Sequence, residues 1–193
     1  MSIRTAARLI LGYAALVESG AAMIRFRERT VAFMSAMERA AALGRRLVVI
    51  GDPDAGMHTR LARAYGCGDV CVDLNGCPKC PMTIVADITK GPVPELAADS
   101  SVVFVSCVLE YVADLQGALR EIARITGTPD NVFIVTVQPW TLTAALHPRA
   151  RWAGISDTHI VSMGPITSLH RGFAAGVVLS LAAASVASPQ PVP

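Results

Sequence analysis

Hydrophobic and polar positions alternate in blocks through the middle of this chain, and the blocks read as strands and helices in turn. Leu47-Val48-Val49-Ile50 is a continuous apolar run, the pattern of a strand covered on both faces in a parallel sheet. Gly51-Asp52-Pro53-Asp54-Ala55-Gly56 follows as a turn. A helix is predicted over 57–65, with Leu61 and Tyr65 four apart on one face, and the glycines at 66 and 68 end it. Strands are predicted over 69–73, closing on Asp73, over 83–87, closing on Asp87, over 102–106 and over 132–137. A helix over 109–125 carries Leu115, Ala118, Leu119, Ile122 and Ile125 on one face. Strands alternating with helices predict a three-layer α/β, Rossmann-like domain with a mostly parallel sheet, abbreviated at its C-terminal edge.

The two ends are more apolar than the middle requires. Residues 3–24 are largely apolar but interrupted by Arg4, Arg8 and Glu18, and the uncharged run over 9–17 is too short to span a bilayer. An amphipathic or packed helix is the preferred reading, with membrane association or targeting as the alternative. Residues 25–46 read as helix, with Val31, Met34, Met37 and Ala41 spaced by three and four, ended by Gly44. Beyond Pro139 a short helix over 140–146 and an edge strand over 159–163, antiparallel to the rest, are predicted. Residues 172–187 carry no charge; they fit a buried or partner-docked helix as well as a short span. The organisation expected is an N-terminal apolar helix over 1–30, a domain over 31–165, and an apolar helix with a Pro-rich tail over 166–193.

Composition sharpens this. The chain is 52% hydrophobic and 17% charged, so burial beyond one ordinary core is expected, against a membrane or in a complex. Residues 1–46 hold eight Arg against three Glu, whereas the remainder is net acidic. The basic excess is too small and dispersed for a nucleic-acid footprint, and the N-terminal arginines are expected on a solvated helix face. Four of five cysteines, Cys67, Cys71, Cys77 and Cys80, fall in a C-x3-C-x5-C-x2-C array. Cys77-Pro78-Lys79-Cys80 has knuckle-like spacing, so zinc is one reading. Reduced structural thiols are preferred, because Cys71 lies mid-strand facing a core and the odd count argues against a disulfide framework; a single bridge stays open. No residue is assigned to a metal. The four histidines are scattered, without metal-ligand or nucleophile partners.

From about residue 45 to 137 the sequence resembles the class I S-adenosylmethionine-dependent methyltransferases. Three stretches carry this: LVVIG with its following loop and helix, Asp73 closing the next strand, and VVFVSCVLEYVADLQGALREIARI. The last ends in Glu110-Tyr111, then Asp114, then Leu119-x-Glu121-x-x-Arg124, close to the family's pattern after its fourth strand. The resemblance implies methyl transfer from S-adenosylmethionine to a small-molecule, small or lipophilic acceptor. It implies Gly51, Asp52, Gly56, Asp73, Asp87 and Cys107 as cofactor-binding residues, with Ser106 beside them and Asp73 accepting the ribose hydroxyls. No catalytic residue is named by it. Departures from the pattern are Val49, where the family has an acid, and Pro53 and Ala55, where it has glycines. They leave a second expectation, a catalytically inactive methyltransferase-like subunit of a membrane or protein complex. A cytoplasmic location, at a membrane surface or away from it, fits either.

Overall fold

The computed structural model describes residues 3–55, 63–109 and 111–135. Eight elements follow one another: helix α1 (Ile3–Leu43), strands β1 (Arg46–Ile50), β2 (Val70–Asp73), β3 (Thr83–Val85) and β4 (Ser101–Ser106), helix α2 (Leu115–Thr126), a 3₁₀ turn (Pro129–Asn131) and strand β5 (Val132–Val135). The strands form one open sheet in the order β3-β2-β1-β4-β5, and every pairing is parallel. Over the described residues the protein is therefore an α/β fold with a five-stranded, all-parallel sheet.

Alternation along the strands builds two cores. Val48, Ile50, Val70, Val72, Val103 and Val105 point to one face, where α2 lays Ala118, Leu119, Ile122 and Ile125 on them. Leu47, Val49, Cys71, Val102, Phe104 and Phe133 point to the other, where α1 lays Ala32, Phe33, Ala36 and Ala40. The interiors of β1, β2, β4 and β5 are continuous apolar runs because both faces are covered, whereas β3 at the edge is largely exposed.

Helix α2 starts at Asp114, whose carboxylate accepts the Gly117 N–H, and ends at Gly127 in the left-handed conformation. It begins later than the expected residue 109; the preceding segment lines a cavity instead. Its motif Glu121-x-x-Arg124 forms a clamp. Arg124 donates from Nε to Glu121 Oε2 and from Nη2 to Oε1, each at 2.7 Å, and Nη2 also donates to the Leu96 carbonyl at 2.7 Å. Glu121 accepts the Val93 N–H at 2.9 Å. The pair thus fastens the connection between β3 and β4 to α2.

Helix α1 departs from expectation in two ways. It is a single helix of 41 residues, about 60 Å long, and it runs through the expected boundary at residue 30. Its buried stripe is Ala32, Phe33, Ala36 and Ala40, whereas Met34 and Met37 of the expected stripe are 49% and 44% exposed and Ala41 faces solvent. Alanines let the helix axis approach the sheet closely, and Phe33 alone supplies the large anchor. Further toward the N-terminus, Leu9, Ile10, Leu11, Leu16 and Met23 are each more than 60% exposed. Among the described residues no helix is long and apolar enough to cross a membrane. Residues 63–65, expected to end a helix, are not helical. The rest of that helix, the elements expected after residue 135 and all four histidines lie outside the described residues.

Candidate functional site

In the order β3-β2-β1-β4-β5 the sheet is wound in opposite directions from β1 and β4. Loops leaving the carboxyl ends of these two strands part there and leave a crevice, the usual ligand site of open α/β sheets. A cavity of about 410 Å³ occupies this place, lined by Ile50 and Gly51 after β1, Val72, Asp73 and Leu74 after β2, Ala86, Asp87, Ile88 and Thr89 after β3, and Cys107, Val108, Tyr111, Val112 and Ala113 after β4. It falls within the ~300–1,000 Å³ typical of small-molecule sites.

Four of the six residues expected to bind a cofactor line this cavity: Gly51, Asp73, Asp87 and Cys107. Gly51 has φ +99°, and a Cβ there would stand 2.6 Å from Val108 Cγ2, so only glycine fits this turn. Asp52 does not line the cavity. Its backbone N–H donates to Asp73 Oδ2 at 3.2 Å, and its own Oδ1 accepts the Asp54 N–H at 2.9 Å. From outside the cavity lining it sets the loop and the Asp73 carboxylate. Asp54 forms ion pairs with Arg63 at 3.2 Å and Lys79 at 3.9 Å. Pro53 is buried and outside the cavity lining. Gly56 lies outside the described residues. Ser106, expected beside Cys107, is buried and absent from the lining; alternation along β4 puts it on the α1 face with Phe104.

The two carboxylates are held differently. Asp73 Oδ1 accepts the Asn75 N–H at 2.8 Å and Oδ2 the Asp52 N–H. With about four acceptor positions on a carboxylate, two remain for a ligand in the cavity. Asp87 Oδ1 accepts from the Thr89 hydroxyl at 2.7 Å and the Thr89 N–H at 3.1 Å. The Thr89 hydroxyl, first, and then its backbone N–H hold the Asp87 carboxyl below its ordinary range, with Lys90 adding to this. The signal for Thr89 was present in the sequence as an Asp-x-Thr turn.

Arg29 departs from the solvated helix face that the sequence predicts for it. Its Nη2 lies 2.8 Å from Cys107 Sγ, so α1 reaches to the cavity wall. Cys107 itself has φ +53°, a region uncommon for side chains larger than glycine and frequent at ligand sites. Nearby, Phe33, Tyr65 and Phe104 form a ring cluster, with centroids 5.5 Å apart for Phe33 and Phe104 and 5.0 Å for Tyr65 and Phe104.

Burial among these rings pushes the Tyr65 hydroxyl up to about 12, against a partial opposing pull from Arg29. The folded state therefore holds the Tyr65 proton more tightly than the unfolded chain does. The resulting stability is fully present below pH ~10 and is lost as pH rises from ~10 to ~12, amounting to roughly 2–3 kcal/mol at two pH units. Urea midpoints measured across this window should fall more steeply for the native chain than for Tyr65→Phe. Parallel slopes would show that Tyr65 is not the titrating group.

The cysteine array also corrects expectation. Cys67 is bonded to Cys80 and Cys71 to Cys77, with Cα separations of 5.5 and 6.3 Å, within the usual range for bridges. The preferred reading of reduced thiols does not hold. Parity misled because the fifth cysteine, Cys107, belongs to the cavity and has no part in the array. Cys71 does face a core, fully buried as its mid-strand position implies.

Comparison of the chain with protein-family models, with curated proteins and with solved structures finds no match.

Proposed function

We propose that the cavity binds S-adenosylmethionine and that the domain transfers its methyl group to a small or lipophilic acceptor. The observation that carries this reading is the joint placement of Asp73 and Asp87. Both line one cavity, after adjacent parallel strands, beside the switch between β1 and β4. The donor set fits an adenosine: Asp73 keeps acceptor capacity for two ribose hydroxyls, Ile88, Val108 and Val112 offer an apolar wall for a purine, and Gly51 permits close backbone approach. The similarity of this chain's strand ends to the class I methyltransferase pattern supports the same assignment.

The cofactor would supply an activated methyl group on a sulfonium. The chain's part is to bind and orient it. Asp73 would fix the ribose and Asp87 would receive the exocyclic amine of the base. Gly51 and Cys107 would flank the part of the molecule nearest β1 and β4. Alignment of donor and acceptor supplies much of the acceleration in such a displacement, and a proton released by an N–H or O–H acceptor would pass to solvent, since no residue of the site is assigned as its base.

A second reading is a domain of the same architecture without catalysis, serving as a subunit of a membrane or protein complex. The apolar surface along the first half of α1 favours it, since exposed patches of that kind mark interaction sites.

Titration calorimetry of the full chain with S-adenosylmethionine and S-adenosylhomocysteine separates the two. The methyltransferase reading expects micromolar binding of both. Asp73→Ala should weaken it about 10- to 100-fold, the worth of hydrogen bonds to a charged acceptor. Asp73→Asn, which keeps one acceptor oxygen, should fall between. No heat at millimolar cofactor, with the fold intact by circular dichroism, would leave only the subunit reading.

A further inference from the structure

The four sulfurs of the cysteine array do more than form two separate bridges. Sγ atoms of Cys71, Cys77 and Cys80 lie within 4.8 Å of one another, and Cys67 Sγ is bonded to that of Cys80. Three sulfurs thus form a compact group with the Cys67 sulfur joined to its edge, drawn from three segments: the chain before β2, β2 itself and the loop between β2 and β3. Cys71 and Cys77 are fully buried and Cys80 is 8% exposed.

We propose that in its reduced form this group is a structural site for one thiophilic divalent cation of the zinc class, bound by Cys67, Cys71, Cys77 and Cys80 as a tetrahedral tetrathiolate. Zinc–sulfur bonds of ~2.3 Å place tetrahedral sulfurs about 3.8 Å apart, so opening the two bridges within this cluster needs side-chain rotation and no change of strand pairing. Burial matches a closed, four-coordinate structural site rather than an open catalytic one. The Cys80 N–H donates to the Cys77 carbonyl at 2.9 Å, which makes the tight knuckle that turns two cysteines of a C-x2-C toward one point.

Charge around the group points the same way. Arg63 Nη2 lies 3.2 Å from Cys67 Sγ and 4.0 Å from Cys80 Sγ. A disulfide sulfur offers a guanidinium little, whereas a tetrathiolate complex carries two net negative charges that a nearby cation stabilises. Lys79 stands in the knuckle, paired with Asp54 across from Arg63.

Two equivalents of a dithiol reductant give up four hydrogens, convert both bridges to four thiols and leave as two disulfides. The four thiols then lose four protons as the cation binds. The site sits directly behind Asp73, with Cys71 before it in β2 and Cys77 after it in the loop, so the cation would brace the turn that presents this carboxylate. The inference does not depend on methyl transfer.

The test uses the full chain, reduced with excess dithiol and dialysed against zinc, then against cobalt(II). The expected result is about one tightly held zinc per chain by elemental analysis. Cobalt should give thiolate charge-transfer absorption and the intense visible bands of tetrahedral coordination. Cys67→Ser, at the least buried position, should lose most of the zinc, and Cys107→Ser should keep it. Because Cys71→Ser could fail to fold, the cobalt spectrum of the native chain stands as the independent readout. A reduced, folded chain that retains no zinc, or one whose zinc survives Cys67→Ser, overturns the proposal. So does a chain whose mass stays four hydrogens low in excess dithiol.

Discussion

Replacing Glu121 by alanine is expected to destabilise the domain by about 3 kcal/mol, read as a drop in the urea midpoint at unchanged slope. Glu121 is 4% exposed and both its oxygens are engaged, by Arg124 and by the Val93 N–H. Its removal strands a guanidinium and a buried N–H together. The figure lies at the low end for breaking a buried pair, because the Arg124 side chain keeps 30% exposure and can draw on water. The paired change Glu121→Met with Arg124→Leu should recover most of the loss, since an apolar pair leaves no charge behind. Additive losses in that double variant would show that the clamp works through packing alone.

The second large effect is expected at Phe104. Its side chain is fully buried in the middle of the sheet, edge-on to Phe33 of α1 and tilted against Tyr65. Phe104→Ala should cost about 3–5 kcal/mol, combining lost transfer energy with a cavity that three layers cannot close. Phe104→Leu refills most of the space and should cost about 1.5 kcal/mol. This ring is where α1, the sheet and the segment carrying Tyr65 meet, so its loss should also expose the α1 interface to hydrogen exchange sooner than the α2 interface. Equal exposure of both would mean that the two cores do not open separately.

What could be read from the sequence follows from how each signal is encoded. The strands were legible because a parallel sheet buried on both faces demands uninterrupted apolar runs, and Val102 to Val105 can serve little else. Asp73 and Asp87 were legible because a carboxylate ending such a run marks the rim of the sheet. The burial stripe of α1 was not, because periodicity ranks methionine above alanine. Close approach to a sheet reverses that order, and Ala32, Ala36 and Ala40 went inside while Met34 and Met37 stayed out. Arg29 at Cys107 was invisible for a related reason: a long side chain buries its stem and delivers its charge at a distance from its own backbone. The cysteine pairing depended on the path of the loop over 74–82, which composition marks only as loop.

The sheet order has a kinetic consequence. Val48, at its centre, pairs with Val70 on one side and Val103 on the other, each tens of residues away along the chain, and among the described residues no strand has a hairpin neighbour to zip against. Assembly must therefore wait for distant segments to meet by diffusion, at full cost in chain entropy and before any strand hydrogen bond repays it. A connectivity of this kind is expected to fold more slowly than a hairpin-built sheet of equal size, with its apolar strands waiting unmatched in the meantime.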